Sequence, residues 1–224
     1  MEVKIYCGGR GSSSSGGKGQ FGKGGGLNPG NIVSTSSLIS ARNEGYRNEV
    51  DQVLTVAKQI QDEYGVNLDY DLATLKGKDA LDTLGYYDGK NLAINKNYMN
   101  ADKMNETYDK SVSSGYHPSR GNKSGLEAVT SHEMGHFLTD EIGKKMGLKS
   151  WDLDKVSDTV LKQASKNAGY KNGIHKLASK ISGYASTSKA EALAEAFADV
   201  YCNGSKAKKE SKAVVDVMNS YFKK

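Results

Sequence analysis

Two histidines four residues apart, with a glutamate directly after the first, constrain this chain more than any other feature. They lie in the sequence His132-Glu133-Met134-Gly135-His136. Residues i and i+4 of an α-helix lie one turn apart on the same face, so both imidazoles can bind one metal ion. The carboxylate of Glu133 would then lie beside the ion, where it can accept a proton. The spacing therefore predicts a helix that carries a zinc site.

The surrounding residues predict that this helix is largely buried. Between Ser124 and about Lys145, apolar residues recur at helical spacing, namely Leu126, Val129, Met134, Phe137, Leu138 and Ile142. Gly135 costs about 1 kcal/mol relative to alanine inside a helix, and such a glycine usually marks a close approach by another backbone or by a metal site. The alternative is that two surface histidines lie near a glutamate by chance, which this context does not favour.

A catalytic zinc ion needs a third protein ligand, and the chain has only two other histidines, His117 and His175. A carboxylate ligand must therefore be considered. Residues 187–203 predict an alanine-rich helix in which Glu191 and Glu195 lie one turn apart. One of them can bind zinc while the other orients a histidine, and the alternative is that both are solvated surface charges. His117 lies in a polar loop, where we expect it at the surface, and the alternative is that it faces the cleft.

Taken together, the two segments resemble a known active site. Residues 183–197 read Gly-Tyr-Ala-Ser-Thr-Ser-Lys-Ala-Glu-Ala-Leu-Ala-Glu-Ala-Phe. With residues 132–136 they look like the catalytic domain of anthrax lethal factor, a gluzincin-type zinc peptidase. The resemblance implies that Glu191 is the third zinc ligand and that Glu195 supports a zinc-binding histidine. It also implies that Tyr184 points its hydroxyl at the zinc site, where it would donate a hydrogen bond to the oxyanion.

Other interpretations of these segments stay open. Tyr184 can also be a tyrosine that packs on a helix N-terminus. The segment from residue 183 to 197 has a weaker likeness to C-terminal parts of some phage head-associated and mobile-element proteins. Outside the two segments, the chain departs freely from the lethal factor pattern, and residues 148–182 are expected to add one or two helices, with Trp151 on an apolar face.

The resemblance implies an α+β, zincin-like fold, mostly helical with a small mixed sheet and the HExxH helix. Periodicity predicts helices over 43–64, 101–110 and 205–222, and strands over 67–75 and 91–95. The second strand is expected at the edge of the sheet, where an extended peptide substrate can pair with it. Its candidate substrate-binding residues are Leu92, Ala93, Ile94 and Asn95.

The start of the chain differs in composition from the rest. Residues 8–30 are rich in glycine and serine and cannot bury enough apolar surface to offset the entropy lost on ordering. We expect a flexible tail over residues 1–31, in which residues 3–7 are compatible with an edge strand. The remainder, residues 32–224, is expected to be a single catalytic domain.

Charge and hydropathy limit the expected partners. The net charge of +5 is spread along the chain, without a basic face interleaved with aromatic residues, so no nucleic acid is expected. Two cysteines do not form a disulfide framework. No apolar run could span a bilayer, and no signal peptide is recognisable. We expect a soluble protein that is cytoplasmic or associated with a virion or mobile element, and delivery as an effector is a further hypothesis. The oligomeric state is not predicted.

The sequence thus predicts a zinc-dependent metalloendopeptidase that acts on a protein or peptide substrate. Zn²⁺ held by His132, His136 and Glu191 would activate water, Glu133 would be the general base, and Tyr184 would stabilise the oxyanion. The alternative is a noncatalytic, zinc-stabilised structural or interaction module of a phage or mobile-element assembly. Glu133 separates the two hypotheses, because a purely structural site has no need of it.

Overall fold

The computed structural model describes residues 6–8, 29–149, 153–171 and 173–223, which form helices packed around one small sheet. The strands are β1 (Tyr6–Gly8), β2 (Ile32–Ser37), β3 (Asp69–Leu75), β4 (Thr83–Tyr87) and β5 (Asn91–Asn95). The helices are α1 (Leu38–Ala41), α2 (Arg47–Tyr64), α3 (Asp79–Asp82), α4 (Ala101–Ser113), α5 (Gly125–Lys145), α6 (Leu153–Asn167), α7 (Ile174–Ile181), α8 (Lys189–Asn203) and α9 (Lys209–Ser220). Helices predominate and the sheet is mixed, so the fold class is α+β, as predicted.

Most of the predicted helices are present, with shifted ends. The helix predicted over 43–64 is α2, which begins only after Gly45, where a φ angle of 92° ends a short 3-10 turn. The helix predicted over 101–110 continues to Ser113, and residues 148–182 contain two helices, α6 and α7. Within the described ranges, no helix combines the length and the apolar character that crossing a membrane requires.

Only part of the predicted tail is described. Tyr6–Gly8 forms β1, and Pro29–Asn31 forms one 3-10 turn ahead of β2. Residues 9–28 lie outside the described residues, and so does Trp151. Of residues 3–7, the structure describes Tyr6 and Cys7, which lie in β1 at one end of the described sheet, paired with β4, in agreement with an edge strand.

The sheet has the strand order β1-β4-β5-β3-β2. Strand β5 pairs antiparallel with β4 and parallel with β3, so residues 91–95 form a central strand and the prediction of an edge strand is wrong. The sequence analysis missed β4, a short strand with a glycine at position 85. A tight turn joins it to β5, because the carboxylate of Asp88 accepts hydrogen bonds from the Lys90 and Asn91 amides at 2.8 and 2.7 Å.

Helix α5 lies between the sheet and α8. A capping box fixes its start: the Ser124 hydroxyl accepts a hydrogen bond from the Glu127 amide at 3.1 Å, and the Glu127 carboxylate accepts one from the Ser124 amide at 2.7 Å. Strand β4 packs on the next turn of the helix. A Cβ atom on Gly85 would lie only 2.9 Å from Cγ1 of Val129, so β4 can approach α5 this closely only with glycine at that position.

On its other side, α5 meets the backbone of α8 at Gly135. A Cβ atom there would lie 2.8 Å from Cα of Ala194 and 3.2 Å from Cβ of Phe197. The prediction that this glycine marks a close approach by another backbone is confirmed. The distance between the two helices is therefore set by the absence of a side chain at this one position.

We expect Gly135→Ala to lower the free energy of unfolding by about 1–3 kcal/mol, because the added methyl group must push α5 and α8 apart. This loss should appear although alanine is the better helix former by about 1 kcal/mol. Urea denaturation measures the change. Lys144→Ala, at an exposed position of the same helix, is the control and should change stability by no more than about 0.5 kcal/mol. A Gly135→Ala variant at least as stable as the parent would contradict the expectation.

Candidate metal centre

The crossing of α5 and α8 brings three predicted ligands together. His132 and His136 lie one turn apart on α5, and Glu191 lies in the first turn of α8. Oε2 of Glu191 lies 3.1 Å from Nε2 of His132 and 3.2 Å from Nε2 of His136, the latter in an orientation that makes no hydrogen bond. One ligand atom from each residue lies within 4.8 Å of the others, so the three can share one metal ion.

The chemistry of these donors fits a divalent cation, and two imidazoles with one carboxylate are a ligand set that zinc takes. Burial alone would raise the pKa of Glu191, but the charge of His136 and the hydrogen bond from His132 lower it to about 2. Burial would lower the pKa of His132, whereas the hydrogen bonds to Glu191 and Glu195 raise it to about 10.

A second carboxylate holds the other side of the His132 ring. Oε1 of Glu195 lies 2.8 Å from Nδ1 of His132, and Oε2 accepts a hydrogen bond from the Ser182 hydroxyl at 2.7 Å. This is the contact that the resemblance implies for Glu195. Burial would raise the pKa of Glu195, but the charge of His117 and the hydrogen bonds from His117 and His132 hold it well below its usual range. Glu195 is therefore an ionised carboxylate inside the protein.

The expectation that His117 lies at the surface is wrong, and the sequence analysis assigned it no role in the site. Its side chain is buried, and its Nδ1 lies 2.9 Å from the same oxygen of Glu195 that contacts His132. The ring stacks on Tyr108 with 5.4 Å between centroids and 15° between planes. His117 and Glu195 are 78 residues apart, and the polar loop around His117 carries no periodic pattern that relates it to α8. Only the fold brings them together.

Glu133 differs from the other carboxylates because it has no partner. Both of its oxygens are buried, and neither makes a hydrogen bond with any described residue. Burial raises the pKa of Glu133 well above its usual range, and the charges of Glu191 and Glu195 raise it further, while His132 opposes the rise. The backbone of Tyr87, at the end of β4, also lowers the pKa of Glu133, although its geometry does not amount to a hydrogen bond. Glu133 is thus a carboxyl group with a high affinity for protons.

Tyr184 lies against the same histidines. Its side chain is buried in the 3-10 turn before α8, and its ring is nearly parallel to that of His132, with 5.8 Å between centroids and 20° between planes. It also meets the His117 ring edge-on at 5.1 Å. The fold therefore places the Tyr184 ring in contact with the candidate metal centre, and not merely against the start of a helix.

The predicted substrate-binding residues lie elsewhere. Leu92, Ala93 and Ile94 are buried, and both edges of β5 are already paired. Asn95 is also buried, and its side-chain amide donates a hydrogen bond to the Thr83 carbonyl at 2.7 Å. These residues hold the sheet together, so the prediction that β5 offers its backbone to a peptide is wrong.

Comparison of the chain with protein-family models, curated proteins and solved structures gave no significant match. The function must therefore be inferred from the geometry and chemistry of these side chains.

We expect Zn²⁺ to raise the thermal unfolding temperature of the metal-free protein, because a ligand that binds only the folded state stabilises it by about 2.7 kcal/mol at 100 times its Kd. Glu191→Ala should remove most of this shift by taking away one of three ligands. The measurement is a thermal melt with and without added zinc. Glu106→Ala, at an exposed glutamate of α4, is the control and should shift like the parent. An undiminished shift in Glu191→Ala would place the zinc ligand elsewhere.

Proposed function

We propose that this protein is a zinc-dependent metalloendopeptidase that hydrolyses peptide bonds in protein or peptide substrates. In this proposal His132, His136 and Glu191 hold Zn²⁺, Glu133 is the general base, and Tyr184 stabilises the oxyanion. The observation that carries the proposal is the buried carboxyl group of Glu133, which follows the candidate ligand His132 in α5 and makes no hydrogen bond with any described residue.

The surroundings of each side chain suit one step of the proposed hydrolysis. When bound, Zn²⁺ would polarise the peptide carbonyl and lower the pKa of a water molecule at the same centre. Glu133 accepts a proton from the attacking water and passes it to the nitrogen of the leaving amine. Its raised pKa and its freedom from hydrogen bonds leave both oxygens available for this transfer. Glu195 accepts the Nδ1 hydrogen of His132, which would leave Nε2 of that ring to hold the ion.

Two features favour catalysis over a purely structural zinc site. Structural sites are almost always closed by four protein ligands, whereas the metal-binding group found among the described residues has three. A buried carboxyl group without partners also destabilises a protein, by several kcal/mol if it is ionised. A module that only needs zinc for stability has no use for Glu133. A peptidase needs it.

The strand beside the candidate centre is β4, and an extended substrate would pair with its outer edge. That edge is occupied by β1, in which Tyr6, Cys7 and Gly8 pair with Thr83, Gly85 and Tyr86. In this proposal, a peptide substrate that extends the sheet takes the place of residues 6–8.

We expect Glu133→Gln to keep about one zinc ion per chain and to lower the rate of hydrolysis at least about 100-fold, because the amide cannot accept the proton. The rate is measured by mass spectrometry on a library of proteome-derived peptides, and the zinc content by elemental analysis. Glu141→Gln, on the same helix, is the control with parental activity. Cleavage by Glu133→Gln at the rate of the parent would overturn the mechanism.

We expect Tyr184→Phe to lower kcat by about 100- to 1000-fold, the usual effect of losing one hydrogen-bond donor to an oxyanion. Phenylalanine keeps the ring that contacts His132, so zinc content and thermal stability should stay close to those of the parent. The substrate is the best peptide found in the library. Tyr46→Phe, ahead of α2, controls for the loss of a tyrosine hydroxyl. If kcat is unchanged in Tyr184→Phe, the tyrosine has only a packing role.

A further inference from the structure

We propose that His117 is a positioning residue of the metal centre, which acts through Glu195 to fix the orientation of His132. This inference rests on the proposed zinc site and adds a residue to it that neither sequence motif contains. His117 does not belong to the group of described side chains that can share one ion. Its role depends on its hydrogen bond to Glu195, the carboxylate that also contacts the candidate ligand His132.

The two histidines share a single oxygen atom. Nδ1 of His117 lies 2.9 Å and Nδ1 of His132 lies 2.8 Å from Oε1 of Glu195. Both ring nitrogens lie within hydrogen-bond distance of one acceptor oxygen, and this geometry assigns a hydrogen to each Nδ1. Of the two ring nitrogens of His132, Nε2, which lies 3.1 Å from Glu191, is then the one that can give up its hydrogen and offer a lone pair to a metal ion. The shared oxygen therefore selects the tautomer of His132 that can bind a metal.

Three donors fix the carboxylate of Glu195. His117 and His132 donate to one oxygen, and the hydroxyl of Ser182 donates to the other. Rotation of the carboxylate would lengthen at least one of these bonds inside a protein region that contains no compensating solvent, since Glu195 is fully buried. Without the hydrogen bond from His117, Oε1 of Glu195 would keep only its contact with His132, which is the ring that Glu195 orients.

His117 can fulfil this role because its own ring is fixed independently of Glu195. It stacks on Tyr108 and meets Tyr116 and Tyr184 edge-on. The loop before it is tied to the segment before α8 by two backbone hydrogen bonds, from the Gly183 amide to the Gly115 carbonyl at 2.9 Å and from the Tyr184 amide to the Tyr116 carbonyl at 2.8 Å. The ring is thus part of a rigid support for both Glu195 and Tyr184.

The test compares His117→Phe with His117→Asn. Phenylalanine keeps an aromatic ring on Tyr108 but has no donor, whereas the Asn amide can place an N–H close to the position of Nδ1–H. We expect His117→Phe to raise the Kd for zinc about 10- to 100-fold, the usual effect of losing a group that orients a metal ligand. We expect His117→Asn to stay within about threefold of the parent, because the donor is kept.

The Kd is measured by competition with a chelator of known affinity, and the thermal stability of each metal-free variant is measured in parallel. His175→Phe, on α7, is the matched control and should leave the Kd unchanged. If His117→Phe does not fold, His117→Gln replaces it, because Gln moves the donor away from the Nδ1 position while keeping a polar side chain. We expect the same loss of zinc affinity for it.

A His117→Phe variant that binds zinc as tightly as the parent would overturn the role of His117. A loss of zinc affinity in His117→Asn as large as that in His117→Phe would overturn it as well. These outcomes are distinct from failure of the proposed function. A parent protein that binds zinc but cleaves no peptide contradicts the peptidase proposal, while the Kd comparison still decides the role of His117. A parent protein that binds no zinc overturns both.

Discussion

At Gly135, helix α5 approaches the backbone of α8 so closely that a methyl group would not fit between them. On α8, Ala194 lies at the point of closest contact, and its small side chain permits the approach. Because Glu191 and Glu195 lie one turn apart on α8, they reach the two different nitrogens of the His132 imidazole, at 3.1 and 2.8 Å. The helix crossing thus positions the two carboxylates, and the remaining contacts of the centre depend on it.

The centre buries three carboxyl groups within a short distance of one another, and their partners make them differ. Glu195 receives three hydrogen bonds, and Glu191 lies against two histidines, so both have lowered pKa values. Glu133 makes no hydrogen bond with the described residues, and its pKa is raised. Opposite shifts in neighbouring acids are typical of sites in which one group is a ligand or support and another transfers protons. The opposite pKa shifts follow from the different partners of the three groups, since all three are buried.

Sequence patterns predicted where the helices and strands lie better than they predicted which of these elements pack against each other. The helical spacing around the histidines and the capping pair Ser124 and Glu127 locate α5, because capping and amphipathicity are local properties. The order of strands is not local. Residues 91–95 look like an edge strand in isolation, yet β4 covers one of their edges and β3 the other. β4 contains a glycine where α5 comes close, and this departure from strand propensity concealed it.

By itself, the sequence determined that two histidines share one face of a buried helix and that two glutamates share one face of another, because helix geometry fixes both spacings. The tertiary structure decided that these faces meet and that Glu133 makes no hydrogen bond with the described residues. It also decided that His117, in a loop whose sequence has no periodic pattern, lies within hydrogen-bond distance of Glu195. The physical reason is that ligand distance, burial and hydrogen bonding are properties of pairs of residues far apart in the chain. Such pairs are brought together by packing at Gly135 and by the backbone hydrogen bonds between residues 115–116 and 183–184.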